Sequence, residues 1–163
     1  MVTSAPDREQ VLEWLRDVPD PEIPVLSITD LGIVRDVDCD GGVVVSLSPT
    51  YSGCPATEVI EASVIAALQD RGVADVAIKR VLSPPWTTDW ISDSGREKLK
   101  RYGIAPPEKG GGKRALLHGG RSVACPRCES QSTERVSEFG STACKAAYRC
   151  KDCLEPFEYF KCL

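Results

Sequence analysis

An apolar stripe at helical spacing marks the first predicted element of the chain. It consists of Val11, Leu12, Trp14, Leu15 and Val18. Together with Pro6 and Asp7, which suit a helix start, the stripe predicts a helix over residues 7–18. Prolines at positions 19, 21 and 24 exclude a continued helix, so Asp20-Pro21-Glu22-Ile23-Pro24 is predicted to be an extended or turning loop.

Two apolar, β-branched segments then flank a glycine turn. Residues 30–37 lead into a first strand, Asp40-Gly41-Gly42 is typical of a hairpin turn, and residues 43–48 form the returning strand. An apolar stripe from Val59 to Leu68 predicts a second helix over residues 56–70, which Gly72 terminates.

A third strand is predicted over residues 73–82, and a short helix runs from about Ser92 or Ser94 to Tyr102. This order of elements predicts an α+β fold for residues 1–105, a small mixed sheet with helices packed on one face.

The amino-acid composition changes after residue 105. Residues 106–121 are rich in glycine and proline and are predicted to be a flexible linker. Residues 122–163 contain aromatic and β-branched positions around two cysteine pairs, which predicts a small β domain. A domain of that size cannot bury enough apolar surface to fold unaided, so a bound metal is expected to supply the missing stability.

The two cysteine pairs predict a structural zinc site. Cys125 with Cys128 and Cys150 with Cys153 each form a C-x-x-C turn, and two such turns complete a tetrahedron of four sulfurs. Two disulfides or two separate redox pairs are the alternatives. Cys144 and Cys162 lie in the same region and are candidate alternative ligands, although free cysteines more often pack in a core.

Cys54 is a second candidate functional residue. Gly53 permits a tight approach, and Pro55 suits the first helical position, which places Cys54 at or next to the start of the second helix. Free amides and the helix dipole favour a thiolate there, able to bind a soft metal or an iron–sulfur cluster; a small buried apolar residue is the alternative. No histidine or second cysteine is near it in sequence, so another subunit or carboxylates would have to complete a site.

Three acidic residues are candidates for those carboxylates. Asp20 and Glu22 are the first two, and Asp30 is the third, for which capping and turn chemistry is the preferred interpretation. Trp86 and Trp90 form an apolar loop that either caps the sheet or presents a docking surface.

Composition narrows the function classes. The chain has 163 residues, 42% hydrophobic and 27% charged, which is typical of a globular protein of one domain or two small ones. Residues 1–95 carry a net charge of −10, residues 96–121 carry +6 and the remainder is neutral, so a general role in nucleic-acid binding is not expected. The single histidine, His118, argues against a Cys/His finger and a Ser–His–Asp triad.

The location is predicted to be cytoplasmic, without a membrane span. Asp7, Arg8 and Glu9 occupy positions where a signal peptide would need an apolar core, and no apolar run is long enough to cross a bilayer. In a reducing compartment eight cysteines favour metal binding over disulfides.

Four segments of residues 7–105 resemble the iron–sulfur-assembly domain family that includes SufT. They are Asp20-Pro21-Glu22-Ile23-Pro24, Asp30-Leu31-Gly32-Ile33-Val34, Thr50-Tyr51-Ser52-Gly53-Cys54-Pro55 and Pro84-Pro85-Trp86-Thr87. Residues 139–145 and 155–162 narrow the resemblance further. An assembly domain joined to such a ribbon is similar to the PaaD family of the bacterial phenylacetyl-CoA epoxidase system.

The resemblance implies an accessory, non-catalytic role in aerobic phenylacetate degradation, where other subunits carry the oxygenase chemistry. It implies partners among those subunits and among iron–sulfur assembly proteins. It also implies that Cys54 is the functional thiol, with transient iron or an iron–sulfur cluster as cargo. Whether the chain forms a homodimer is left open, since a second copy of the chain could complete the ligand set at Cys54.

Three functions follow from these features. In the first, the chain is a maturation factor that uses Cys54, Asp20 and Glu22 for iron or a cluster, while the zinc ribbon docks onto the client. In the second, it is a stoichiometric structural subunit whose ribbon and tryptophan loop hold a complex together. In the third, it is a redox enzyme in which each C-x-x-C is a dithiol pair.

Overall fold

The computed structural model describes residues 6–110 and 123–161. These residues fall into two compact units that divide between Trp86 and Thr87. Each unit contains its own sheet, and together they confirm the predicted α+β class with small sheets and packed helices.

The first unit begins with helix α1, Arg8–Leu15, which is shorter at its C-terminal end than the predicted helix. Asp7 caps it, since its carboxylate accepts the N–H of Gln10 at 2.8 Å while the Gln10 side chain accepts the N–H of Asp7 at 3.2 Å. Val11 and Leu15 are fully buried. The helix is therefore fixed by its cap and by one apolar face.

A three-stranded sheet follows, in the order β1-β2-β3. Strands β1, Val34–Asp38, and β2, Val43–Leu47, form the predicted antiparallel hairpin around Gly41 and Gly42, both with positive φ. Strand β3, Val76–Arg80, is parallel to β2. Parallel pairing requires a crossover, which helix α2, Ala56–Gln69, provides.

Helix α2 covers the sheet with one apolar stripe. Its buried residues are Ala56, Ile60, Val64 and Leu68. In the sheet, β2 buries Val43, Val45 and Leu47, the alternate positions of a strand with one face in the core. Because β2 and β3 are parallel, their carboxyl ends share one edge of the sheet, and the loop from Ser48 to Pro55 starts at that edge.

Trp86 belongs to the core of the first unit. Its side chain is 4% exposed, and its indole N–H donates to the carbonyl of Leu31 at 2.8 Å. Of the two interpretations left open for the tryptophan loop, packing in the core thus applies to Trp86, while Trp90 is half-buried in the second unit.

The second unit contains a short 3-10 helix, Thr88–Trp90, and helix α3, Asp93–Tyr102, which Ser92 caps and Gly103 ends in the left-handed region at φ 91°. Its sheet has the order β4-β7-β6-β5. The strands are β4, Ile104–Ala105; β5, Thr133–Ser137; β6, Lys145–Cys150; and β7, Pro156–Phe160.

Strands β5, β6 and β7 form an antiparallel ribbon, and β4 adds to it in parallel beside β7. The sequence predicts that the first domain ends at residue 105, whereas the compact units divide after Trp86. Helix α3 belongs to the second unit because β4, which follows it directly, pairs with β7 of the ribbon. Most of the predicted linker, 106–121, lies outside the described residues. Among the helices that the structure describes, none has the length and apolar character needed to cross a membrane.

Candidate functional site

Two cysteine turns of the same design bring four thiols together. In the first turn the N–H of Cys125 donates to the carbonyl of Ser130 at 2.9 Å, and in the second the N–H of Cys150 donates to that of Glu155 at 3.0 Å. Glu129 and Leu154, each directly after the second cysteine of its turn, have positive φ of 61° and 64°. Both turns thus contain a non-glycine residue in the left-handed conformation, which is energetically unfavourable for such residues.

The four sulfurs form one group. The ligand atoms of Cys125, Cys128, Cys150 and Cys153 all lie within 4.8 Å of one another. The Cys125–Cys153 sulfurs are 3.8 Å apart and the Cys128–Cys150 sulfurs are 3.5 Å apart. A zinc tetrahedron with Zn–S bonds of about 2.3 Å has edges of about 3.8 Å, whereas a disulfide is about 2.0 Å long. The donor set and its spacing therefore fit a tetrahedral metal ion.

These short distances join sulfurs of different C-x-x-C turns. Two separate dithiol pairs, as the redox interpretation requires, would instead keep each pair apart from the other. All four thiols are free. The arrangement favours one shared metal site.

The environment favours a thiolate at Cys150, whereas burial and the neighbouring thiols raise the pKa of Cys128 and that of Cys153, the latter to about 12. Cys125 and Cys150 are buried, while Cys128 and Cys153 are exposed. The backbone N–H of Cys153 points at the sulfur of Cys150 at 3.5 Å, and this hydrogen bond is the main cause that lowers the pKa of Cys150 to about 7. Thiolate is the form in which cysteine binds metal.

Of the alternative ligands, Cys144 is placed away from this group. It is 4% exposed, and its sulfur lies 3.0 Å from the Thr142 hydroxyl in the turn before β6. It is not among the residues that form the four-sulfur group. Cys162 lies outside the described residues.

Cys54 lies in the loop between β2 and α2, at the shared carboxyl edge of the parallel strands. Gly53, at φ 79°, makes the turn, and Pro55 is the helix cap, so Cys54 precedes α2 by two residues. Its N–H donates to Tyr51 at 3.3 Å and its carbonyl accepts the N–H of Thr57 at 3.2 Å. The half-buried side chain is not needed for these backbone contacts, so the thiol can serve another purpose.

The acidic candidates have structural contacts of their own. Asp20 is buried, and one carboxylate oxygen accepts the N–H groups of Glu22 at 2.9 Å and Ile23 at 2.8 Å. Asp30 accepts the N–H of Ser27 at 3.1 Å, which is turn chemistry. Within residues 6–110 and 123–161, the four ribbon cysteines are the one group of three or more metal-binding side chains this close together. Within these described residues Cys54, Asp20 and Glu22 do not form such a group, and a labile metal site at these three residues stays a prediction.

Ser48 is a buried polar residue that no sequence pattern indicates. It directly follows β2 and is 1% exposed, and within the described part of the chain its hydroxyl has no hydrogen-bond partner. A serine after a strand carries no pattern that distinguishes it from an ordinary loop residue. Its burial depends on the loops that meet at this edge, where its N–H donates to Ile33 at 2.8 Å.

Comparison with known proteins matches both parts of the chain to families. Residues 8–79 match the family model described as iron-sulfur cluster assembly protein, and residues 109–161 match the PaaD zinc beta ribbon domain. The chain is 49% identical to a putative 1,2-phenylacetyl-CoA epoxidase subunit of Escherichia coli (strain K12), across 100% of this chain and 98% of that protein.

Two further similarities concern the N-terminal part. The Fe-S protein maturation auxiliary factor YitW of Bacillus subtilis (strain 168) is 39% identical over 58% of this chain and 87% of its own length. The crystal structure of a domain of unknown function, DUF59, from Bacillus anthracis is 28% identical and superimposes with a TM-score of 0.52, over 56% of this chain and 90% of that one.

Proposed function

The chain belongs to the PaaD family of 1,2-phenylacetyl-CoA epoxidase subunits, and from that membership we propose that it matures this oxygenase by delivering iron or an iron–sulfur cluster. Its similarity to Fe-S maturation factors supports an accessory role rather than a catalytic one. In this proposal the other epoxidase subunits are the clients, and iron or the cluster is cargo.

The placement of Cys54 is the observation that carries the proposal. The thiol lies at the carboxyl edge of β2 and β3, just before α2, where parallel βα units commonly bind their ligands. Its half-buried position lets a partner reach it while the loop backbone is held by Tyr51 and Thr57.

Delivery, unlike storage, calls for an incomplete ligand set. Cys54 has no complete group of metal ligands around it within the described chain. An ion held by Cys54 would then take its remaining ligands from a second subunit, from an acceptor or from solvent, and could leave readily. Asp20 and Glu22 remain candidates for this set only if the loop changes, because the Asp20 carboxylate holds the backbone at Glu22 and Ile23.

In the proposal, the four ribbon cysteines hold a structural zinc ion, which when bound would fix the two cysteine turns to each other. Four thiolates and no open position are typical of structural rather than catalytic zinc. The buried Cys125 and Cys150 pack with Ala105 and Phe157, so the site is continuous with the small core of the ribbon. The ribbon then serves as a rigid module for docking the client.

The test compares Cys54→Ser with Cys39→Ser after anaerobic purification and exposure to ferrous iron and sulfide. Cys39 is the matched control because it is the other thiol of the first unit, is also half-buried, and has its pKa raised by burial and by neighbouring carboxylates such as Asp38. We expect equal zinc in all three proteins, and iron in the wild type and Cys39→Ser but not in Cys54→Ser. Full iron loading and full client activation by Cys54→Ser would contradict the proposal.

A second candidate function is a structural subunit that stays in the complex without metal transfer. It is supported by the fact that, within residues 6–110 and 123–161, Cys54 does not form a group of metal-binding side chains with Asp20 and Glu22. It predicts that Cys54→Ser co-purifies with the epoxidase in the wild-type ratio and leaves activity unchanged. Removing the chain from a mature complex then distinguishes the two: a structural subunit is required continuously, whereas a maturation factor is dispensable once its cargo is delivered.

A further inference from the structure

We propose that a cationic groove in the second unit binds a short acidic segment of a partner protein. The groove has a volume of about 370 Å³ and lies between the last turn of α3 and the first cysteine turn. The residues that line it include Glu97, Lys100, Arg101, Tyr102, Pro126 and Arg127. Because a structural subunit could use the same groove, the proposal does not depend on iron transfer at Cys54.

Both walls of the groove are anchored. On one side, Gly103 turns the chain at φ 91° from α3 into β4, and β4 pairs with β7. On the other side, Cys125 is 1% exposed and packs in the same cluster as Ala105 of β4. The groove is therefore formed before any ligand arrives, which reduces the ordering that binding would require.

Three cations line the groove, each with a glutamate partner. Lys100 pairs with Glu129, Arg101 pairs with Glu97 at 3.1 Å, and Arg127 pairs with Glu155 at 3.0 Å. All six side chains are at least 41% exposed. Exposed pairs of this kind contribute little to stability, so a carboxylate of a ligand can replace a glutamate at small cost.

The side chains suit a carboxylate-bearing peptide in particular. The guanidinium groups of Arg101 and Arg127 can each bind a carboxylate with two parallel hydrogen bonds. Tyr102 is 61% exposed and, with Pro126, offers an apolar surface beside the cations. Tyrosine and arginine are enriched in the central contacts of protein interfaces. An acidic segment with an aromatic or aliphatic neighbour would use both features.

The charge of the whole chain favours a short peptide over a nucleic acid. Residues 1–95 carry a net charge of −10, which repels a long polyanion, whereas residues 96–121, which include most of α3, carry +6. A local cationic groove on a chain of net charge −4 can attract a compact acidic segment without holding an extended phosphate backbone.

The test is titration of the ¹⁵N-labelled, zinc-loaded full chain with a short synthetic peptide in which glutamate alternates with phenylalanine and leucine. A peptide with glutamine in place of glutamate is the control, and oligo(dT) of similar length is the nucleic-acid arm. We expect backbone amide shifts confined to the groove, at Lys100, Arg101, Tyr102 and Arg127, and weaker binding at high salt.

Variants make the test specific. Arg101→Gln and Arg127→Gln should each weaken peptide binding by about tenfold. Arg135→Gln should leave it unchanged, because Arg135 is also an exposed ribbon arginine paired with a glutamate, Glu138 at 2.8 Å, but does not line the groove. Zinc content is measured for Arg127→Gln, since this residue lies between two ligands, and Arg101→Gln tests the groove without touching the cysteine turn.

The proposal is overturned if the acidic peptide binds no better than its glutamine counterpart, if the shifts lie elsewhere, or if Arg101→Gln binds like the wild type. It is equally overturned if oligo(dT) binds as tightly as the peptide and displaces it, because the groove would then be a nucleic-acid site.

Discussion

Glu158 holds the turn between β5 and β6 to the third strand of the ribbon. Its carboxylate accepts the N–H of Ser141 at 2.5 Å and the Ser141 hydroxyl at 3.1 Å, and it pairs with Lys145 at 3.1 Å. The Lys145 side chain is only 5% exposed. A Cβ at position 140 would lie 2.5 Å from a Glu158 oxygen, so a larger residue there would displace this carboxylate. A buried cation thus depends on one carboxylate.

We predict that Glu158→Gln destabilises the ribbon by about 2 to 3 kcal/mol, because it leaves the Lys145 ammonium buried without its counter-charge. Glu134→Gln is the matched control. Its pair with Arg149, at 2.6 Å, has side chains 38% and 55% exposed, so the loss should stay within about 1 kcal/mol. Urea unfolding, monitored through the release of zinc, measures the loss of stability in both variants. Equal effects of the two substitutions would contradict the ranking.

The same carboxylate makes ribbon stability depend on pH. Burial by itself raises the pKa of Glu158, but the hydrogen bonds from Ser141 and the charge of Lys145 outweigh it, so the pKa is lowered in the folded state. The ionised carboxylate therefore stabilises the fold at pH values above the pKa of the unfolded chain, about 4.3. This stabilisation is lost as the pH falls through the lower pKa of the folded protein. The stability difference between wild type and Glu158→Gln should therefore be constant from about pH 7 to about pH 6 and shrink below about pH 4. A difference that grows on acidification would refute this.

At the scale of elements, the sequence predicts helix starts and tight turns, because neighbouring residues determine them. The structure places the start of α1 at Asp7 and the hairpin turn at residues 41–42 as predicted. Of the two start positions that the sequence leaves open for α3, Ser92 and Ser94, Ser92 is the cap. Strand β4 was not predicted, because two residues carry no periodicity and their pairing with β7 joins positions far apart in the chain.

The candidate sites divide in the same way. The spacing of the ribbon cysteines is enough to predict their convergence, since each C-x-x-C is a local turn. The groove brings the end of α3 to the first cysteine turn across the linker, and no local pattern could indicate it. Asp20 was a candidate ligand because its charge is visible in sequence, whereas its hydrogen bonds to the backbone at Glu22 and Ile23 are not.

Metal removal should act on particular strands. Cys125, Cys150, Ala105 and Phe157 form one small cluster, so loss of a metal at the cysteines removes a support that so small a core cannot replace. After treatment with a zinc chelator we predict fast amide exchange throughout β5, β6 and β7 and also in β4. Amides of β1, β2 and β3 serve as the internal control and should stay protected. Persistent protection of β6 in metal-free protein would show that the ribbon folds without metal.

At the scale of the whole molecule, the two units separate the two proposed tasks. The first unit contains Cys54 and its own three-stranded sheet, and the second contains the four-cysteine group and the groove. Each sheet lies within its own unit. If iron binding needs only the first unit and docking only the second, damage to one task should spare the other.

Cys150→Ser tests this separation. Cys150 is 0% exposed and its thiolate is favoured by the N–H of Cys153, so its loss should abolish zinc binding and unfold the ribbon. We predict that this variant keeps the amide spectrum of β1, β2 and β3 and takes up iron as the wild type does, but no longer activates the client. Cys54→Ser should behave in the opposite way, with normal zinc and no iron. Because each variant is the control for the other, a Cys150→Ser protein that keeps the first sheet yet fails to load iron would mean that the ribbon takes part in the iron site itself.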